Sequence, residues 1–284
     1  MAAFNRIIAF FMSIIGSIAL MFDIPYYATG KQVDLSGYEL VWEDEFRGER
    51  MDGTKWKYSG SYGANRGYYS SPDIVEMTGE EAVFHIKYYE EGLNGNPAAY
   101  YTASFKTDGL YEPTYGYFEC RAKLPKVSNG SGAFWLNSHN AYNNDDDPSD
   151  GAEVDIMESQ NWNAQGYYGQ KFGKSAENVI EHNIHYGTPG TQWYHRLHAK
   201  GFKVRGDPYE EFHTYGLLWD ENGYTFYIDG VATMSTTLGL SHAPEYICLS
   251  CDIRGEDGVP YDNSWADGQD ATFVVDSVRV YQKG

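Results

Sequence analysis

Leu217-Leu218-Trp219-Asp220-Glu221-Asn222-Gly223-Tyr224-Thr225-Phe226-Tyr227-Ile228-Asp229-Gly230 is the stretch that decides the fold class. Two apolar, aromatic-rich runs flank a four-residue polar turn. The Asn222-Gly223 pair supplies the positive φ angles that a tight hairpin wants, and Asp229-Gly230 opens a second turn. The same grammar extends in both directions. β-rich runs occur at Tyr38–Trp42, Ile74–Glu76, Ala82–Tyr88, Tyr115–Leu124, Gly132–Leu136, Glu153–Met157, Phe212–Trp219, Tyr246–Ile253 and Thr272–Tyr281, with Gly, Asn, Asp and Pro clusters between them. The residues after the N-terminal run contain no convincing long amphipathic helix. Many short strands with frequent turn signals predict a two-sheet antiparallel sandwich.

The chain has 284 residues, a length that suits one large all-β domain. Forty acids against twenty-one bases give a formal charge of −19, which argues against a nucleic-acid partner. A hydrophobic fraction of 42% excludes a disordered chain, and three cysteines cannot build a disulfide scaffold. Twenty-six tyrosines and seven tryptophans suit carbohydrate, whose apolar faces stack on flat rings; aromatic sheet cores have the same composition. Ile7 to Phe22 run apolar after a start that carries one positive charge. These sixteen residues would make a helix of roughly 24 Å, short for a bilayer span. Residues 1–30 therefore read as a secretory signal peptide or a retained N-terminal anchor, with candidate cleavage sites at Ser17-Ile18-Ala19 and around Ala28. Residues 31–284 are expected to form the functional domain. The acidic run Asn143 to Asp147 reads as a loop inside it, because strand patterns resume on both sides.

The densest acidic cluster within an apolar run is Glu153-Val154-Asp155-Ile156-Met157-Glu158. Alternation puts Glu153 and Asp155 on one face and would send Glu158 to the other. One extra residue, a β-bulge at Ile156–Met157, would return Glu158 to the face of the first two acids. Three acids on one strand face repel and hold a proton more tightly. Retaining glycoside hydrolysis uses such a set, with one ionised carboxylate as nucleophile and one protonated carboxyl as acid about 5–5.5 Å away. A solvated face and a calcium site are the other readings of the same pattern.

At this motif the chain resembles glycoside hydrolase family 16, which includes laminarinases, lichenases, agarases and carrageenases. The resemblance runs in order from residue 38 to 282. It is carried by Leu40–Phe46, Tyr115–Pro125, Ala133–Leu136 before the acidic strand, Phe212–Trp219, Phe226–Gly230 and Val275–Tyr281. It implies a concanavalin-like β-jelly roll with a cleft on its concave face, and a retaining double displacement. By correspondence Glu153 is the nucleophile, Asp155 the assisting carboxylate and Glu158 the acid/base, with the spacing of the bulged, laminarinase-like subgroup. Trp135 corresponds to the cleft-floor aromatic, its alternative being a core Trp. His185 corresponds to a histidine that reaches the cleft, its alternative being a structural histidine. Asp276 stands where many members place a structural calcium ligand; no cofactor is implied for catalysis.

The departures fall on substrate loops. Ala64 replaces an Asn that often precedes the Tyr68-Tyr69 pair, which leaves Asn65 and Tyr69 as the expected cleft-edge contacts. Cys251 to Glu256 and Trp265 replace a Gly-Gly-x-Trp-like loop. Cys248 and Cys251 would point to opposite faces of a strand, so they do not read as a zinc or redox pair. Net negative charge disfavours a sulfated polymer unless bases gather in the cleft, where Arg66, Arg254 and Lys171 are the candidates. The sequence thus predicts a secreted, monomeric endo-glycosidase acting on a polysaccharide, with β-1,3- or mixed β-1,3/1,4-glucan as the expected substrate. It predicts no membrane partner beyond an N-terminal anchor. A β-galactan (agarase-type) hydrolase, a transglycosylase and a non-catalytic carbohydrate-binding sandwich are the alternatives.

Overall fold

The structure is a computed structural model that describes residues 24–60, 68–126, 130–159, 178–192, 194–253, 255–256, 259–260 and 270–284. Two large sheets face each other. The front sheet runs, in spatial order, Tyr26–Tyr27, His195–Lys203, Val179–Tyr186, Glu153–Ser159, Gly130–Asn137, Tyr246–Ile253, Ser104–Lys106 and Lys57–Tyr58. The back sheet runs Val231–Thr236, Gly223–Ile228, His213–Asp220, Gly116–Lys123, Asp270–Lys283, Ala82–Tyr89, Ala99–Thr102 and Tyr68–Ser70. Tyr38–Asp44 pairs the second half of Asp270–Lys283. Runs of consecutive strands are joined by long-range neighbours, such as Gly130–Asn137 beside Tyr246–Ile253 and Asp270–Lys283 between Gly116–Lys123 and Ala82–Tyr89, which is the wiring of a jelly roll rather than of a simple meander.

Between the sheets lie Phe84, Phe118, Phe226, Phe273, Tyr215 and Trp219 from the back, and Phe134, Phe202 and Leu249 from the front, all fully buried. Phe84 meets Phe105 of the front sheet with ring centroids 6.1 Å apart. Each such side chain contributes about 1.5–3 kcal/mol through burial, which is how alternating patterns become two closed layers. Their polar alternates face outward and are free to carry chemistry.

The first of the two turns in the opening stretch differs from its expected geometry, and the second forms where it was expected. The first loop is only Glu221-Asn222, with Asp220 opposite Gly223. The positive φ falls on Gly223 (155°) rather than on Asn222. Asp220 Oδ1 accepts from the Asn222 amide at 2.7 Å and so stabilises a turn that needs no left-handed asparagine. Asp229-Gly230 is the pair with both φ positive, at 51° and 72°. Asp229 tolerates that conformation because its carboxylate accepts from the Thr214 amide and meets His213 Nδ1 at 2.9 Å.

Residues ahead of position 31 also take part in the sheets. Tyr26 pairs in parallel with Phe202, and their rings lie 5.1 Å apart. The Gly30 amide bonds to Ala232 O at 2.9 Å, where a Cβ would sit only 2.5 Å from that same oxygen. Residues 24–30 thus belong to the folded unit, because the outer front strand and the Val231–Thr236 strand offer them unpaired backbone groups. Cys248 and Cys251 do sit on opposite faces, Cys251 in the core, and all three cysteines are free and buried.

Candidate active site

The strand Glu153–Ser159 carries the site. Val154, Ile156 and Met157 are all fully buried in the core, so two consecutive residues point inward. That is the signature of the expected bulge. On one side Trp135 pairs Asp155 while Phe134 pairs Met157; on the other Asp155 pairs Asn183 while Glu158 pairs Glu181. Ile156 is the extra residue, and Glu158 regains the face of Glu153 and Asp155.

Directly paired residues share a face, so registers define three rows across the front sheet. The first contains Tyr246, Asn137, Glu153, His185 and Arg196. The second contains Lys57, Lys106, Cys248, Trp135, Asp155 and Asn183. The third contains Ser104, Ser250, Ala133, Glu158 and Glu181. Each row holds one acid of the motif. Trp135 is half-buried on this face and donates from Nε1 to Ser250 Oγ at 3.0 Å, which fixes its ring as a floor. The carboxylates are individually held. Asn183 Nδ2 donates to Glu158 Oε2 at 2.6 Å, and Asn137 Nδ2 to Glu153 Oε2 at 3.4 Å. His185 Nε2 lies 3.2 Å from Asp155 Oδ2, and its Nδ1 lies 2.8 Å from the Tyr194 hydroxyl. With the Tyr194 O–H donating to Nδ1, the neutral ring presents its Nε2–H to Asp155.

Burial pushes the Glu153 carboxyl up to about 8, and the neighbouring charge of Asp155 adds to the effect; the Tyr142 hydroxyl and His185 oppose it. Burial lowers His185, which keeps that ring neutral. A carboxyl that takes up its charge reluctantly beside a second acid is the environment in which two carboxyls divide roles. Glu153, Asp155 and His185 place ligating atoms within 4.8 Å of one another, yet the His185 N–H already points into the set. Asp108, Glu112 and His139 form a second such set, in which Lys106 Nζ lies 2.6 Å from Asp108 and the Gly109 amide 2.6 Å from Glu112.

Of the residues expected from the sequence, Trp135 and His185 join the three acids. Tyr69 does not; it lies in the edge strand of the back sheet, drawn there by parallel pairing with Tyr101, on whose ring it stacks at 5.6 Å. Asn65 lies outside the described residues, as do Arg66, Lys171 and Trp265; Arg254 also lies outside them. Asp276 occupies a bulge in the strand Asp270–Lys283, where Arg121 Nη1 lies 3.2 Å from its carboxylate and Ser277 Oγ donates to it. One carboxylate shared with a guanidinium is a poor match for the oxygen-rich shell calcium takes. The sequence reading missed Tyr142, Asn137, Asn183, Tyr194 and Glu181. All lie away from the motif in sequence, and only register and loop packing bring them to it.

The family model described as Beta-porphyranase A-D, GH16 domain, matches residues 41–283. The chain belongs to glycoside hydrolase family 16. Among family members, β-porphyranase B of Zobellia galactanivorans is 25% identical, over 98% of this chain and 97% of its own length. A keratan-sulfate endo-1,4-β-galactosidase of Sphingobacterium multivorum is 28% identical over 69% of this chain, which spans only 43% of that protein. A solved non-specific endo-β-1,3(4)-glucanase of the family superposes with a TM-score of 0.68 at 25% identity, covering 89% of this chain and 95% of that one. The laminarinase catalytic domain from Thermotoga maritima shares the fold, with a TM-score of 0.66 at 21% identity, covering 87% of this chain and 99% of its own. The expected jelly roll and family are thus observed; the family relatives divide between glucans and galactans, and the chain spans less than half the length of several of the curated relatives it matches.

Proposed function

We propose that the protein is a retaining endo-glycosidase that cleaves a β-galactan of the kind porphyranases act on, in preference to a β-glucan. The observation that carries the chemistry is the bulged strand, which gathers Glu153, Asp155 and Glu158 on one face beside Trp135. Glu158 protonates the glycosidic oxygen as Glu153 attacks the anomeric carbon, giving a glycosyl-enzyme ester; Glu158 then takes a proton from water, which displaces Glu153. Glu153 attacks only as the carboxylate, and because burial and the charge of Asp155 raise its pKa to about 8, the attacking form grows more abundant as the pH rises towards that value. The galactan preference is supported by the family model and by the end-to-end match to a porphyranase. Charge supports it too. Arg196 is exposed in the row of Glu153 and Lys57 is exposed at the far end of the row of Trp135, so positive groups lie along the face of the acids despite the overall charge of −19. An enzyme acting on a polymer this large works outside the cell, for which the apolar N-terminal run is suited.

The test is release of reducing ends from porphyran, agarose, keratan sulfate, laminarin and lichenan. Porphyran or agarose turned over fastest, and nothing turned over by Glu153→Gln, is the expected result. Laminarin or lichenan as the best substrate overturns the galactan preference. Full hydrolysis by Glu153→Gln overturns the nucleophile.

A further inference from the structure

The bulge that turns Glu158 towards the acids has a guardian on the next strand. His182 stands opposite the two residues Ile156 and Met157, and the pairing on its other side is irregular as well, between Glu181 and Asn183. Its side chain points away from the cleft and is fully buried. The ring lies 4.5 Å from that of Phe226 in the back sheet, at 25°, and 5.0 Å from that of Phe202. Both nitrogens are committed: Nδ1 lies 2.6 Å from the carbonyl oxygen of Ile156, and Nε2 lies 3.0 Å from Thr233 Oγ1. Ile156 is the residue a bulge leaves out of the ladder. A buried carbonyl in that position needs a donor, and the imidazole is the one that reaches it.

We propose that His182 is a positioning residue for the acid/base: its Nδ1–H holds the Ile156 carbonyl in the bulged conformation, and the bulge fixes the face on which Glu158 emerges. The inference rests on Glu158 acting as the acid/base. Burial keeps the ring neutral, with its pKa pushed down to about 3, so it has one N–H to give. The carbonyl accepts only at Nδ1, which sets the tautomer. Thr233 Oγ1, in the back sheet, lies 3.0 Å from both Nε2 and the Phe226 carbonyl oxygen; with Nδ1 carrying the proton, its single hydrogen turns to Nε2, so the bulge in the front sheet is tied through the core to the opposite layer. Without that tie the strand gains nothing by keeping an extra residue, and regular pairing would swing Glu158 to the core side.

The variants are His182→Leu, which fills the space without a donor, and His182→Asn, whose side-chain amide can place an N–H near the position of Nδ1. kcat/KM is measured on the preferred polysaccharide and on a 2,4-dinitrophenyl glycoside of the matching oligosaccharide, whose leaving group departs without a proton. The expected result for His182→Leu is a loss of about 100-fold on the polysaccharide, and of no more than about threefold on the aryl glycoside. His182→Asn is expected to recover most of the loss. Unchanged polysaccharide activity, equal losses on both substrates, or no recovery with asparagine would each overturn the proposal. Should His182→Leu fail to fold or the wild type hydrolyse none of the polysaccharides, 15N NMR of the wild-type histidines decides the contact independently. A neutral ring protonated at Nδ1 from pH 5 to 8 is expected. Protonation at Nε2, or a charged ring, overturns the proposal, whereas an inactive wild type with the Nδ1–H tautomer refutes only the assigned activity.

Discussion

Removing the charge-bearing group at residue 153 should destroy the enzyme and stabilise the protein, and only on the alkaline side. The Glu153 carboxyl is raised from its ordinary 4.5 to about 8 by burial and by Asp155. The unfolded chain releases this proton near pH 4.5 and the folded protein near pH 8. Between those values unfolding releases a proton, so stability falls as pH rises. The contribution is intact below about pH 4.5 and fully lost above about pH 8. Each pK unit is worth about 1.4 kcal/mol, which sets a ceiling on the order of 5 kcal/mol; water reaching this partly open face brings the expectation to about 2–4 kcal/mol. Glu153→Gln keeps the shape and has no charge to lose. Urea unfolding of both proteins at pH 5 and pH 9 is the assay. Near-equal stability at pH 5 and an advantage of about 2–4 kcal/mol for the variant at pH 9 are expected. An advantage that is absent at pH 9, or the same size at both pH values, refutes the reasoning, because only a group with a raised pKa produces the pH dependence.

Asn183→Ala removes the 2.6 Å hydrogen bond to Glu158, and kcat/KM on polysaccharide should fall about 10- to 100-fold with the melting temperature far less affected, as steady-state kinetics and calorimetry would show. Gly132→Ala should destabilise by about 1–3 kcal/mol, measured by denaturation, since its Cβ would lie 2.8 Å from Phe273 Cγ and 3.1 Å from Pro125 Cδ. Asp44→Ala orphans two buried donors, the Phe46 amide at 3.0 Å and Trp56 Nε1 at 2.8 Å, and should cost about 3 kcal/mol in the same assay.

Much of the fold was legible because alternation is a local signal. The strand Tyr246–Ile253 is observed with its expected bounds, and Tyr38–Trp42, Ala82–Tyr88 and Gly132–Leu136 were right to within two residues at either end. Alternation did not reveal Val179–Tyr186, which only the family resemblance placed through His185, nor His195–Lys203. The first is buried on both faces, carrying Glu181, His182 and Asn183 where alternation would ask for apolar residues, so its polar members hide it. The bulge was legible for a different reason: three acids at this spacing make sense together only if one residue is extra. That Tyr69 joins the back sheet was not legible, because the side of a sandwich to which an edge strand is recruited depends on its pairing partner, here a strand some thirty residues later.

The order of residues by itself determined the chemistry available, since the identities and spacing of Glu153, Asp155 and Glu158 fix which groups one strand can present. It also determined the layered β architecture, because period-two hydrophobicity is a property of consecutive positions. Only the tertiary structure decided what those acids experience. Burial raises Glu153, Asn183 and His185 arrive from a neighbouring strand to hold Glu158 and Asp155, and His182 reaches through the core to the bulge. Such effects depend on distances between residues far apart in the chain, which are set when the two sheets close on each other.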